Sequence, residues 1–177
     1  MECLKGTTTD YYIWNHRLLP MIMVFAGRVD LNSVTPPTQK VWAGEGETPV
    51  VLVHTDWTWS DTDKYLGVKG GKARSSHAHM DAGSFVYDAY GVRWSMDLGR
   101  QDYATLEVAL KALGGNLWTY TQASLRWEVS RLNNFFHSTL TVNDSKHRVE
   151  GFATLEQTIN TATEQGATFD LSPVLED

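Results

Sequence analysis

The hydrophobic pattern changes character about a quarter of the way along the chain. From Asp10 to Gly27 apolar residues crowd every side of a helical projection, which predicts a helix with Asp10 as N-cap, Gly27 as C-cap and neighbours on several faces. Asp30 to Gly46, with Pro36-Pro37 and Gly44-Glu45-Gly46, reads as a linker. Beyond it the period falls to two. Val50–His54 and Asp63–Lys69 read as strands, and Ser84–Leu98 as a hairpin turning at Tyr90-Gly91. That register sets Asp88 opposite Arg93. It groups Phe85, Tyr87 and Ala89 with Val92, Trp94 and Met96, and it aims Ser95 and Asp97 at the other, more polar face.

One helical interruption is expected over Asp102–Leu113, where Asp102 caps, Leu106, Leu110 and Leu113 recur at helical spacing, and Gly114-Gly115 stops the helix. Leu117–Val129 and Phe136–Val142 read as further strands, followed by a turn at Asn143-Asp144-Ser145 and a return strand. From Glu164 onward the pattern is weak and predicts a frayed end. The resulting fold class is mainly β, an antiparallel sandwich with a short N-terminal helical segment.

Bulk composition narrows the function. The 177 residues suffice for one sizeable core, and 42% hydrophobic content suits a globular protein. The net charge of -6, without a basic run, argues against nucleic acid or an anionic membrane as partner. The longest apolar run, Leu18 to Ala26, is about half of the roughly 20 residues that a membrane span needs. No export signal is read at Met1, and the single Cys3 excludes an intrachain disulfide or a Cys-rich zinc module. Seven Trp and seven Tyr supply either core filling or surfaces on which sugars stack.

Chemistry concentrates in Ser75-Ser76-His77-Ala78-His79-Met80-Asp81, just ahead of the hairpin. On extended backbone His77 and His79 share a side, and same-face imidazoles are costly unless exposed or liganded. His79, Asp97 and His137 are the residue types that zinc takes, two imidazoles and a carboxylate from segments distant in sequence. Asp81 reads rather as a turn former before Gly83. Lys69, Lys72, Arg74 and Arg100 make the one basic patch. There is no nucleophile elbow, P-loop or dinucleotide fingerprint, and Gly70-Gly71 lacks the helix that a phosphate loop requires.

Lys69-Gly-Gly-Lys-Ala-Arg-Ser-Ser-His77-Ala-His79-Met-Asp81-Ala-Gly-Ser-Phe85, Gly91-Val-Arg-Trp-Ser-Met-Asp97-Leu-Gly99 with Tyr103 nearby, and Phe136-His137-Ser-Thr-Leu-Thr-Val-Asn143 follow one another in an order that resembles the heparinase II/III-like polysaccharide lyases. The resemblance runs from about Pro49 to Val149. It implies that residues 1–45 are the end of an (α/α) toroid and its linker, and that 46–177 are a truncated heparinase II/III-like β-sandwich domain. It implies β-elimination on a uronic acid-containing polysaccharide or oligosaccharide, with His77 catalytic, His79, Asp97 and His137 holding Zn²⁺, and Arg74 and Tyr103 near substrate. It also implies a periplasmic or extracellular bacterial setting.

In that family the tyrosine base and the groups that neutralise the uronate come largely from the toroid, so the chain alone is expected to be inactive or barely active. Two other readings are a non-catalytic carbohydrate-binding or structural sandwich and a metal-dependent oxygenase on a jelly roll. Open sheet edges would favour a homo-oligomer.

Overall fold

The computed structural model describes residues 18–58 and 60–175. Two compact units divide the chain, Met1–Pro36 and Pro37–Asp177. In the first, helix α1 spans Leu19–Ala26, with Pro20 in the opening turn, where a missing N–H costs nothing. Gly27 closes it as expected, donating its N–H to the Met23 carbonyl; the expected Asp10 cap lies outside the described residues. The enclosed helix anticipated from its all-round apolar pattern is not what is found, since no residue of α1 is buried.

The second unit is the antiparallel sandwich that the alternation predicts. Five strands, β1 (Val41–Gly44), β2 (Val50–His54), β3 (Tyr65–Lys69), β4 (Phe85–Ala89) and β5 (Val92–Ser95), pair in sequence order. A second sheet holds β6 (Thr154–Asn160) and β7 (Gln165–Asp170). Val41, Val51 and Val53 project from one face of the larger sheet and pack with Leu66, Leu155, Ala167 and Phe169. Gly70-Gly71 has a packing role: the Gly71–Ala153 bridge ties the sheets together, and a Cβ on Gly70 would sit 2.5 Å from the Ala153 carbonyl oxygen.

Three expectations from the sequence are corrected by the fold. The linker of residues 30–46 contains β1, because Val41 is 5% exposed and pairs with Val53, so an alternating Val-Trp pair outweighs the flanking Pro and Gly. The frayed end is instead β7, whose Ala167 and Phe169 face the core while glycine and polar residues between them mute the pattern. Leu117–Val129 and Phe136–Val142 are not strands. Short 3-10 turns at Leu125–Glu128, Ser130–Leu132 and Asn134–Phe136 replace them. Local side chains draw the backbone away from a ladder: Asn116 accepts from the Trp118 N–H, Ser124 from that of Arg126, and Asn133 from that of Phe135.

The hairpin turn stands as read, with Tyr90 and Gly91 both at positive φ and Asp88 gripping Arg93 through two hydrogen bonds of 2.6 and 2.7 Å. A bulge then shifts the register of β5. Tyr87 pairs with Ser95 rather than Trp94, so the alternation of β5 slips by one and Asp97 leaves the face first assigned to it. Asn143 and Asp144 also make their turn, at φ of 51° and 54°, but no strand comes directly after it; the chain next joins a sheet at Thr154.

Helix α2 (Tyr103–Ala112) opens on Asp102, whose carboxylate accepts the Thr105 N–H, and ends near Gly114 at φ 76°. It buries Leu106 and Leu110, whereas Leu113 is 73% exposed. Those two leucines meet Met80, Leu117, Trp127, Leu132 and Val149 in a second core. Ala82, Ala153 and Val174, the last from the short α3 (Ser172–Leu175), form a third.

Candidate metal centre

The segment between β3 and β4 carries the site, and its backbone is looped rather than extended. Met80 fixes it: the side chain is 1% exposed in the second core, and its N–H donates to the Leu132 carbonyl at 2.9 Å. Flanking that anchor, His79 is buried and Asp81 half-buried. His77 adopts a left-handed φ of 64° and is exposed. The two histidines therefore do not share a side, as extended backbone would have required. One ring goes inward and the other meets solvent.

His79 and His137 come together, Nδ1 of the first standing 3.2 Å from Nε2 of the second. Each is 8% exposed. Asp97, in the segment after β5, approaches the far side of the His137 ring, its Oδ2 lying 2.7 Å from Nδ1 and its Oδ1 accepting the Gly99 N–H at 2.7 Å. Burial alone would push the Asp97 carboxyl up, but the Gly99 and His137 hydrogen bonds outweigh it and hold the group below the usual carboxylate range. With Asp97 ionised, the His137 proton belongs on Nδ1. Its Nε2 lone pair then faces His79.

These donors fit a metal. Two imidazole nitrogens at 2.0–2.1 Å from one tetrahedral zinc stand about 3.3 Å apart, close to the separation found. Ligand atoms of His79, Asp81 and His137 all lie within 4.8 Å of one another. Asp81 does open the turn read from the sequence, its carbonyl accepting the Ser84 N–H at 3.0 Å ahead of Gly83 at φ 77°; only its position two residues after His79 signalled its approach to the two rings. Its carboxylate pairs with Lys69 at 2.8 Å. The structure thus places Asp97 against His137 and Asp81 within reach of both rings.

Burial pushes the His79 ring down from 6.5 to about 4, against the opposing pull of Asp81. An unfolded chain would take up a proton on this residue near pH 6.5, which the folded one refuses until about pH 4. Stability is therefore full above the unfolded value and drains away as pH falls across that interval. Burial displaces the His147 ring in the same direction. Urea unfolding of metal-free protein should show a loss of a few kcal/mol between about pH 7 and about pH 4, with a shallower decline in His79→Gln.

His77 belongs to a different surface. Its ring stacks on Tyr103 at 5.6 Å between centroids and meets Trp118 edge-on at 5.1 Å. Tyr103, anticipated near substrate, is thus beside the candidate catalytic histidine; Trp118 was not singled out in the sequence, for want of any motif around it. Arg74, also anticipated near substrate, is paired with Glu150 on the surface, and Lys69 is held by Asp81, so two of the four residues of the basic patch are paired. An open cleft of about 330 Å³ is lined by Lys69, Asp81, Ser84, Phe85 and Asp97, though by neither His79 nor His137. His77 does not line it.

No helix among the described residues is long and apolar enough to cross a membrane. Among curated proteins none matches the chain. The family model described as heparinase II/III-like, C-terminal, matches residues 46–170, from just after β1 to the end of β7. Strands β2 to β7, the histidine loop and the buried imidazole pair all fall within that span, and the chain belongs to the heparinase II/III-like family through its C-terminal domain.

Proposed function

We propose that this chain is part of a polysaccharide lyase that cleaves a uronic acid-containing polysaccharide by β-elimination, in the periplasm or outside a bacterial cell. The residues before the sandwich are then the end of a helical toroid and its linker, and the Pro37–Asp177 unit, which opens with β1, is the sandwich. The observation that carries the reading is the exposed His77, held two residues from a buried His79–His137 pair in a chain of this family. Zn²⁺ is held by His79, His137 and a carboxylate, Asp97 being the one that the resemblance assigns. When bound it would supply a rigid cross-link between the His79 and His137 segments.

In the reaction a base removes the proton on C5 of the uronate and the electron pair passes into the carboxylate as an enolate. It then expels the 4-linked glycosidic oxygen, which leaves with a proton, and a C4–C5 double bond remains. His77 is exposed enough to exchange a proton with substrate and has Tyr103 and Trp118 beside it. No tyrosine of this chain is assigned as base, so turnover needs groups supplied by a toroid.

The test joins this chain to a helical toroid of the family and follows the ultraviolet absorbance of unsaturated uronate on heparin, heparan sulfate and alginate. His77→Ala should lower turnover by about 10²–10⁴-fold, the usual worth of a positioned acid or base. Full activity in that variant would remove His77 from the mechanism. Oligosaccharide binding without zinc and without turnover would favour a non-catalytic module instead.

A further inference from the structure

His77 is one of the four described non-glycine residues at positive φ. It stands in a turn that the Ala78 N–H closes on the Ser75 carbonyl at 3.0 Å, and histidine, like asparagine and aspartate, visits the left-handed region more readily than most residues. Beyond that turn, the contacts that hold the segment are specific. The His77 N–H donates to Tyr120 Oη at 3.0 Å. One residue on, the Ala78 carbonyl accepts from Arg126 Nη2 at 2.7 Å. The two anchors are themselves joined, because the Arg126 guanidinium lies over the Tyr120 ring at 4.6 Å.

The same guanidinium reaches the opposite wall of the histidine's surroundings. Arg126 Nη1 donates to the Leu117 carbonyl at 2.7 Å, immediately before Trp118, whose ring touches His77. One side chain thus fixes the carbonyl after His77 relative to the carbonyl before Trp118. Arg126 is 0% exposed and has no carboxylate partner among the described residues. A buried cation without a counter-ion is a costly core filler. Only the planar fork of a guanidinium, however, can hold two carbonyls of separate loops at a set spacing.

We propose that Tyr120 and Arg126 are positioning residues for His77, locking its backbone left-handed and its ring between Tyr103 and Trp118. The inference rests on the reading of His77 as the proton-transferring group, since that role gives the fixed geometry its use: a reacting group held in place avoids an ordering cost at each turnover.

The test is made on the 177-residue chain by nuclear magnetic resonance and needs no activity. In the parent the His77 ring protons should be displaced by the neighbouring aromatic rings, and a strong intraresidue amide-to-Hα cross-peak should report the positive φ. In Tyr120→Phe, which removes one oxygen, and in Arg126→Lys, which keeps the charge but not the fork, the ring shifts should relax toward those of a free imidazole. The cross-peak should weaken as well, while the His79 and His137 signals hold. Unmoved His77 signals in folded Tyr120→Phe overturn the proposal; should Arg126→Lys not fold, Tyr120→Phe decides alone. Because His77→Ala in the lyase assay tests the functional reading separately, either can fail while the other stands.

Discussion

His137→Ala should abolish stoichiometric zinc binding, with a loss in affinity exceeding the roughly 10–100-fold that removal of an outer-shell partner costs. The residue sits at the middle of the cluster: Nε2 faces His79 and Nδ1 faces Asp97. Its removal takes away one metal donor and the partner of the half-buried carboxylate together. Metal content by mass spectrometry and competition with a chelating dye measure the first effect. Urea unfolding of metal-free protein measures the second, expected at about 1.5–3 kcal/mol for losing a hydrogen bond to a charged group.

Asp97→Asn sharpens that result. With Asp97 as ligand, the variant loses metal as His137→Ala does. A decrease confined to about 10–100-fold would make Asp97 the group that orients His137, and would pass the third ligand position to Asp81. Iron rather than zinc at this centre would favour the oxygenase reading.

A continuous apolar run and a strong turn signal were legible in the sequence: β2, Val50-Val-Leu-Val-His54, matches the expected span, and the β4–β5 turn and its Asp88–Arg93 pair fall where the register put them. What the alternation could not carry was anything decided by a competing hydrogen bond or an inserted residue. The bulge at Trp94 depends on how two strands meet, and the 3-10 turns depend on Asn116, Ser124 and Asn133 capping their own neighbours. The meeting of His79 with His137 across 58 positions was reached through residue type and family order. Asp81 was lost because an aspartate before Ala-Gly is an ordinary turn signal, and nothing local announces an ion pair with Lys69.

Arg126 presents the sharpest energetic question. Arg126→Met should destabilise the chain by about 2–4 kcal/mol, although it removes a charge that burial disfavours so strongly that the guanidinium pKa is pushed down. Two effects oppose each other. Methionine fills much of the volume and relieves the desolvation cost, which is why whole buried ionic networks can be exchanged for apolar residues without loss. Here the partners are backbone carbonyls of Leu117 and Ala78, which no side-chain exchange can remove. The buried Leu117 acceptor, once orphaned, costs about 1–3 kcal/mol and the part-buried Ala78 carbonyl less, and the stacking of the cation on Tyr120 and Trp127 is lost as well. The acceptors therefore decide the sign. Arg126→Lys, able to serve one carbonyl but not both, should fall between parent and methionine variant in urea unfolding. A methionine variant as stable as the parent would mean that water satisfies both carbonyls and that the fork contributes geometry alone.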